Sequence, residues 1–205
     1  MSEILVILGH PEADSYCGAL ADAYAEGARA TGASVRMLRL GELELDLVLR
    51  REGQAEEPDL LAARQAIADA AHIAWAFPMW WVGPPALLKG FVDRALTSGW
   101  AYRYDERGLP EGLLKGRSSR TIVTMDSPSW WYFLWYRRAL RISFDRGTLQ
   151  FCGMTPVRRT IVYGVRTLDE AKRAAWLERA REAGAQDARA VQARTPRLSA
   201  EGVPA

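Results

Sequence analysis

Two short stretches of the chain combine the residue types needed to bind a phosphorylated aromatic ligand. The first is a polar turn from His10 to Cys17, between an apolar run and an alanine-rich stretch. A turn that opens a helix offers unpaired N–H groups and a partial positive charge, which together bind phosphate. The second stretch is a loop from Pro78 to Val82 that carries Trp80 and Trp81. Its rings can stack on a planar heteroaromatic group, and its backbone N–H groups can donate hydrogen bonds to that group.

The polar turn has a simpler interpretation as a helix start. Ser15 or Asp14 can cap the following helix, because short polar side chains accept hydrogen bonds from its first N–H groups, and from the turn alone this is the better interpretation. The turn contains no Lys or Arg, so a phosphate would be bound by neutral donors. The candidate binding residues are His10, Ser15, Tyr16 and Cys17. Cys17 itself is better explained as a small buried residue than as a reactive thiolate.

The two tryptophans also have a simpler interpretation, since tryptophan is highly buried on average and such a pair usually packs in a core. Here the pair lies in a loop between two prolines, where core packing needs it least. The candidates for binding a planar ligand are therefore Pro78, Met79, Trp80, Trp81 and Val82.

The elements around both stretches predict an open α/β sheet. His72–Phe77 is an almost unbroken apolar run, typical of a strand buried on both faces, and the strand must stop at Pro78, which cannot donate to a ladder. A helix with apolar residues at helical spacing follows from Ala86 to Leu96. Glu3–Gly9 is another apolar strand, so both candidate stretches follow strands. In such sheets ligands bind at the carboxyl ends of strands, which favours the binding interpretation.

Three further strands and four further helices alternate along the rest of the chain. The predicted strands are Ser34–Leu40, Arg120–Met125 and Val157–Tyr163, with Trp100–Tyr104 as a small edge strand or ribbon. The predicted helices are Cys17–Ala30, Pro58–Ala70, Tyr136–Phe151 and Leu168–Ala183, the last capped by Thr167. We expect one domain over residues 1–184 and a loose tail over 185–205, where hydrophobic periodicity is lost. Five strands alternating with helices predict a mostly parallel, doubly wound sheet, whose strand order the pattern leaves open.

Composition argues against several classes of protein. The net charge of +2 is too balanced to indicate binding to nucleic acid or to a membrane surface. The longest run without charge, Ile73–Leu88, contains three prolines and is too short to span a bilayer. Two distant cysteines and the lack of a signal peptide predict a cytoplasmic protein. The two histidines give no metal-binding spacing, and no two glycines are spaced for a dinucleotide fingerprint.

A resemblance to a known family lies in Phe77–Arg94, which reads Phe-Pro-Met-Trp-Trp-Val-Gly-Pro-Pro-Ala-Leu-Leu-Lys-Gly-Phe-Val-Asp-Arg. It is similar to Phe-Pro-Leu-x-Trp-Phe-x-x-Pro-Ala-Ile-Leu-Lys-Gly-Trp-x-Asp-Arg of the flavodoxin-like NAD(P)H:quinone oxidoreductases. The resemblance implies a flavodoxin-like, five-stranded parallel sheet of order 2-1-3-4-5. It also implies a flavin enzyme that takes hydride from NAD(P)H and reduces quinones or similar acceptors. The turn provides for one phosphate, which favours FMN, with FAD as the alternative.

The resemblance extends to a third loop, after the predicted strand Arg120–Met125. Relatives have a pattern similar to Thr-Thr-Gly-Gly there, with a tyrosine eight residues after the first threonine, and Tyr132 stands eight residues after Thr124. This implies that Thr124, Met125 and Asp126 contact the flavin and that Tyr132 donates a hydrogen bond during catalysis. The histidine that follows in relatives is missing, and the region carries arginines instead: Arg137, Arg138 and Arg141.

Large apolar side chains crowd the segment that follows this loop. Trp130, Trp131, Phe133 and Trp135 are either an ordinary apolar patch or an interface. The resemblance implies a homodimer with the flavin beside such an interface. Two other functions stay open: a flavin-binding regulatory or accessory subunit of a transport system, and a flavodoxin-type electron carrier.

Overall fold

A parallel sheet with helices on both faces organises the chain. The computed structural model describes residues 3–51 and 53–194, and within them no helix is both long and apolar enough to cross a membrane. The strands are β1 (Glu3–Leu8), β2 (Ser34–Arg39), β3 (Ala70–Pro78), β4 (Tyr102–Tyr104), β5 (Pro110–Gly112), β6 (Ser118–Met125) and β7 (Val157–Tyr163). The α-helices are α1 (Tyr16–Arg29), α2 (Pro58–Asp69), α3 (Ala86–Ala95), α4 (Ser129–Leu134) and α5 (Glu170–Gln192). A wide helix of the π type spans Arg141–Gln150, and single 3₁₀ turns span Leu40–Glu42 and Val165–Thr167.

The sheet has the order β2-β1-β3-β6-β7, and every neighbouring pair is parallel. The predicted flavodoxin-like order is therefore confirmed. The ribbon predicted at Trp100–Tyr104 is also present, with its strand starting at Tyr102, and it pairs antiparallel with β5 outside the main sheet. Parallel neighbours require crossover connections, which is why helices cover both faces.

Strand β3 lies at the centre of the sheet and is buried on both faces. Ile73, Trp75 and Phe77 point into the core that α2 and α3 cover. Ala74 and Ala76 point into the opposite core, under α1 and α5. The apolar run predicted as a doubly buried strand is therefore confirmed, and its carboxyl end delivers the tryptophan loop to one edge of the sheet.

The predicted loose tail is wrong in its first part, because α5 continues to Gln192. Gly184, where the helix was expected to end, lies inside α5 where that helix packs on α1. A Cβ atom at Gly184 would stand 2.0 Å from the carbonyl oxygen of Tyr24, so only glycine allows this approach. The remainder of the predicted tail, 195–205, lies outside the described residues.

Two other helix predictions need correction. The N-cap of α5 is Asp169 and not Thr167, because the Asp169 carboxylate accepts a hydrogen bond from the N–H three residues further on, at 2.8 Å. The helix predicted over Tyr136–Phe151 begins only at Arg141, and α4 precedes it in the aromatic segment. Between the two helices the backbone turns through left-handed conformations at Arg137 and Arg138, which a regular helix does not accommodate.

A buried polar network at the amino ends of β3, β6 and β7 explains why the end of α5 is docked. The Asp187 carboxylate accepts hydrogen bonds from the Tyr24 hydroxyl at 2.8 Å and from the Arg120 guanidinium at 2.5 and 3.2 Å. His72 Nε2 lies 3.3 Å from this carboxylate, and an Arg158 nitrogen lies 3.2 Å from it. Burial alone would raise the pKa of Asp187, but the hydrogen bonds and charges of His72 and Arg120 outweigh burial and hold the pKa well below its usual range.

Replacing the centre of this network should be costly. Asp187→Asn should lower the free energy of unfolding by about 3–5 kcal/mol, because Arg120 is left buried without its counter-ion. Urea titration at neutral pH measures this change. Asp93→Asn is a matched control, since it breaks an exposed pair with Lys89 and should cost less than about 1 kcal/mol. Equal losses in the two variants would contradict the role of Asp187.

The network also sets the direction of the pH dependence. Because the pKa of Asp187 is lowered in the folded protein, Asp187 adds to the free energy of unfolding at pH values above the ordinary pKa of an aspartate. This contribution is lost as the pH falls. The pKa of His72 is lowered too, chiefly because the ring is buried, so unfolding takes up a proton below about pH 6.5. The free energy of unfolding should therefore decline below that pH. Asp187→Asn should flatten the more acidic part of the decline.

Candidate functional site

Three loops follow β1, β3 and β6 at the carboxyl edge of the sheet, and direct contacts hold them together. The Trp80 ring lies edge-on to the His10 ring, with centroids 5.6 Å apart, and joins the first two loops. The N–H of Met79 donates to the carbonyl oxygen of Thr124 at 2.8 Å and joins the second loop to the third. The Thr124 side chain also lies beside the Cys17 thiol, at the start of α1. The structure therefore brings the three predicted loops to one place.

The turn after β1 opens α1 and keeps backbone donors available. Ser15 is the N-cap, with its Oγ accepting a hydrogen bond from the Gly18 N–H at 3.1 Å, so the capping interpretation is confirmed. Capping does not use the first donors of the helix. Within the described part of the chain, the N–H groups of Tyr16 and Cys17 have no acceptor. The turn therefore retains the donors that a phosphate needs.

The side chains of Tyr16 and His10 are both held by partners. The Tyr16 hydroxyl donates to the carbonyl oxygen of Arg173 at 2.9 Å, and the Arg173 guanidinium lies over the Tyr16 ring. The N–H of Glu12 donates to His10 Nδ1 at 3.0 Å. Arg173 was not identified from the sequence, because it reaches the turn from the start of α5 and no local pattern signals that contact.

Cys17 is a buried thiol. Its side chain is 3% exposed, and burial raises its pKa to about 12 against the opposing hydrogen bond of Thr124. A thiol with this pKa is not a thiolate at neutral pH. The interpretation of Cys17 as a small buried residue is therefore confirmed, and only its backbone can serve a ligand.

The loop after β3 is a tight turn closed by two backbone hydrogen bonds between Trp80 and Gly83, at 2.9 and 3.0 Å. The two residues between them, Trp81 and Val82, have left-handed φ angles of 50° and 65°. For a β-branched residue this conformation is unfavourable, by about 1–3 kcal/mol, and it persists only where the surroundings impose it. Among the described residues nothing accepts the N–H groups of Trp81 and Val82, and the Trp81 ring is fully exposed. The loop therefore presents donors and an aromatic face instead of packing in the core.

The loop after β6 is buried at its start and exposed further on. Thr124 and Met125 are both buried, so neither side chain is exposed at this edge. Pro78, which pairs with Thr124 in the β3–β6 ladder, is buried as well. Asp126 is exposed, and its carboxylate accepts a hydrogen bond from the Arg166 N–H at 3.3 Å.

Tyr132, the predicted catalytic donor, lies in α4 and is only 2% exposed. Its ring centroid is 6.0 Å from that of Tyr163, at the end of β7. Burial, together with the neighbouring Tyr163 and Asp145, raises the pKa of the Tyr132 hydroxyl. The hydroxyl therefore stays protonated at neutral pH and can donate a hydrogen bond. Its catalytic role stays a prediction.

The aromatic segment around α4 leaves large apolar side chains in contact with solvent. The Trp135 side chain is 70% exposed and Trp130 is 58% exposed. Trp131 stacks on Trp135, with ring centroids 5.3 Å apart. Leu134 and Phe133 are exposed beside them. Large exposed apolar patches are uncommon on soluble proteins and often mark interaction or ligand-binding surfaces.

The free donors at this edge fit a flavin. Its ring system carries oxygen and nitrogen acceptors that match the N–H groups of Trp81 and Val82, and its phosphate matches those of Tyr16 and Cys17. A cavity of about 930 Å³ lies elsewhere, between α2, α3 and the β4–β5 ribbon, and none of the predicted site residues lines it. The three loops, with the exposed Trp81 ring, form an open edge of the sheet apart from this cavity.

Two relatives align with most of the chain. An uncharacterized NAD(P)H oxidoreductase of Haemophilus influenzae is 28% identical over 183 residues, which cover 85% of this chain and 90% of the relative. NAD(P)H dehydrogenase (quinone) 1 of Cavia porcellus is 25% identical over 187 residues, which cover 78% of this chain and 68% of the relative.

Solved structures share the fold. The NAD(P)H:quinone oxidoreductase from Methanothermobacter marburgensis superposes with a TM-score of 0.77 at 24% identity, covering 90% of this chain and 96% of that one. An FMN-dependent NADH-azoreductase from Bacillus anthracis, solved in complex with FMN, gives a TM-score of 0.71 at 17% identity, covering 92% of this chain and 100% of that one. Residues 2–185 match the family described as having the flavodoxin-like fold. The chain therefore belongs to the flavodoxin-like fold family.

Proposed function

We propose that the chain is a flavin-dependent NAD(P)H oxidoreductase that reduces quinones or similar acceptors. One observation carries the proposal: two sets of unused backbone donors, at the start of α1 and in the turn from Trp80 to Gly83, lie at one edge and are joined through His10 and Trp80. The relatives named NAD(P)H oxidoreductase and NAD(P)H dehydrogenase (quinone) support it. We place the protein in the cytoplasm, which suits its two free, buried cysteines.

Each loop has a separate task in this proposal. The N–H groups of Tyr16 and Cys17, with the positive end of α1, hold a phosphate. The Met79–Val82 loop donates hydrogen bonds to the ring system and offers the Trp81 ring for stacking. A bound flavin supplies hydride transfer from NAD(P)H to the acceptor. The Met79–Val82 loop and the Asp126–Tyr132 segment bound one slot that orients both substrates in turn.

We favour FMN over FAD as the cofactor. The turn after β1 provides for a single phosphate, and the azoreductase with the same fold was solved with FMN. Heat release of the cofactor from purified protein, followed by chromatography, identifies it. Recovery of FAD alone would overturn this choice without affecting the assignment of the loops.

A charge placed at the helix cap tests the phosphate site. Ser15→Asp should weaken FMN binding by at least about tenfold, because the carboxylate repels the phosphate at close range. Ser15→Asn is the matched control, since asparagine also caps helices but carries no charge, and it should bind FMN nearly as well as the wild type. Fluorescence titration of FMN measures both. Equal affinity of the two variants would remove the turn from the site.

The kinetic pattern tests the enzyme itself. Protein reconstituted with FMN should oxidise NAD(P)H in the presence of a quinone and give parallel double-reciprocal lines, because donor and acceptor use the same slot in turn. Intersecting lines would show that the shared slot is wrong. A flavodoxin-type carrier or an accessory subunit would bind flavin without oxidising NAD(P)H by itself.

Tyr132 is the side chain that we assign to catalysis in this reaction. Its protonated hydroxyl can donate to charge that develops on the ring system. In the same kinetic experiment, Tyr132→Phe should slow flavin reduction by about tenfold, the loss of one modest hydrogen bond in the transition state. A stopped-flow rate equal to that of the wild type would clear the tyrosine of this role.

We further propose that the enzyme is a homodimer in which the exposed aromatic segment covers the open edge of a second copy. Trp130 and Trp135 are too exposed for a stable solvent-facing surface, and aromatic side chains are enriched at the centres of interfaces. Because the segment lies next to the candidate site, a second copy seated there would also close the slot against water.

A substitution in the aromatic segment should therefore reduce dimerisation and activity together. Trp131→Ala should shift the protein toward the monomer at micromolar concentration and reduce quinone reduction, because the slot loses a wall. Light scattering and steady-state rates measure the two effects. Leu61→Ala, which removes an exposed leucine from α2, should change neither. A wild-type protein that is monomeric in this range would refute the dimer.

A further inference from the structure

Three arginines that follow α4 carry positive charge that the protein does not neutralise. Arg137, Arg138 and Arg141, named here the arginine cluster, form no ion pair with a carboxylate among residues 3–51 and 53–194. The carboxylate whose charge reaches Arg141 is Asp145, and that carboxylate is already bound by Arg159. The cluster is therefore available to an anion from outside the chain.

The arginine cluster lies at the same edge of the sheet as the candidate site. The Arg138 guanidinium is 4.9 Å from the centroid of the Phe133 ring, and that ring is 6.2 Å from the ring of Tyr163. Tyr163 ends β7 and pairs with Met125, the last residue of β6. Because β6 leads directly into the third loop of the site, Arg138 stands beside the proposed slot, and Arg137 and Arg141 are its neighbours along the chain.

The arginine cluster has a strained backbone at two residues and an unpaired buried nitrogen at the third. Arg137 and Arg138 have consecutive left-handed φ angles of 48° and 58°, a conformation that non-glycine residues retain mainly at functional sites. The Nε of Arg141 is buried and has no hydrogen-bond partner among the described residues. Buried donors in native proteins are almost always paired, so an unpaired one indicates a missing acceptor.

We propose that the arginine cluster binds an anionic group of a substrate that occupies the slot, an inference that rests on the proposed function. The guanidinium group matches the oxygens of phosphate, sulfonate and carboxylate, to which it can donate two parallel hydrogen bonds. The anion has two possible sources: the phosphates of the nicotinamide dinucleotide or an acidic substituent on the aromatic acceptor. In either case the cluster sets specificity for a charged substrate over a neutral one.

Paired substrates that differ in one anionic group test the proposal. The pairs are NADPH against NADH, and a sulfonated naphthoquinone against the unsubstituted naphthoquinone. The variants are Arg137→Gln combined with Arg138→Gln, and Arg141→Gln separately. Each variant should raise KM by about tenfold for the substrates whose anionic group the cluster binds and leave kcat unchanged, since a charged hydrogen bond to that group is lost. Arg189→Gln, an exposed arginine on α5 across the sheet, should change no KM.

The pattern of losses identifies the source of the anion. A rise in KM for NADPH alone assigns the cluster to the extra phosphate that NADH lacks. Equal rises for NADPH and NADH assign it to the pyrophosphate that both share, and a rise for the sulfonated quinone alone assigns it to the acceptor. Unchanged KM values for all four substrates in both variants would overturn the proposal.

Two further measurements complement this test. The first needs no variant, and the second needs no turnover. In the wild type, the KM for the affected substrate should rise with salt while that of the neutral quinone stays constant, because exposed charges are screened. In flavin-free protein, NADPH and the sulfonated quinone should quench tryptophan fluorescence more weakly in the cluster variants than in the wild type. If the protein binds no flavin, the proposed function fails, and this quenching still decides whether the cluster binds anions.

Discussion

One backbone hydrogen bond, from the N–H of Met79 to the carbonyl oxygen of Thr124 at 2.8 Å, ties the loop after β3 to the end of β6. This bond is the last rung of the β3–β6 ladder, in which Pro78 pairs with Thr124 and the N–H of the next residue donates across. It fixes where the tight turn from Trp80 to Gly83 begins. The Thr124 side chain also lies beside Cys17 at the start of α1, and the His10 ring contacts Trp80, so the first loop is held at the same place. The relative position of all three loops depends on the end of the β3–β6 ladder.

This anchoring makes the strained turn possible. Left-handed backbone at Trp81 and Val82 is unfavourable, and a free loop would relax out of it. Two hydrogen bonds close the turn on one side, and the His10 ring supports Trp80 on the other. The N–H groups of the two central residues, Trp81 and Val82, have no acceptor among the described residues. The turn therefore keeps two donors in a fixed position, which the proposed flavin site would use.

The sequence predicted those features that depend on local pattern. The doubly buried strand β3 and the loops at Trp80 and His10 follow from that pattern, whereas the sheet order rests on the family resemblance. The end of α5 was not predicted, because nothing in the local sequence distinguishes Asp187 from an exposed aspartate. Only the fold brings Arg120 opposite it. The partner of Tyr16 was missed for the same reason, since Arg173 is distant along the chain. Pairings between elements far apart in sequence leave no local signal, and they decide where helices end and which side chains are held.

The two edges of the sheet differ in how completely their polar groups are paired. At the amino edge, Asp187 gathers Arg120, His72 and Tyr24 into a buried network that leaves its charges compensated. At the carboxyl edge, the donors of the α1 turn and of the tryptophan loop have no acceptors among the described residues. A protein of this size gains stability by pairing buried polar groups wherever it can. That the buried charges of this network are paired at the amino edge, while the backbone donors at the carboxyl edge are left unpaired, is the physical reason to place the chemistry at the carboxyl edge, independently of any family resemblance.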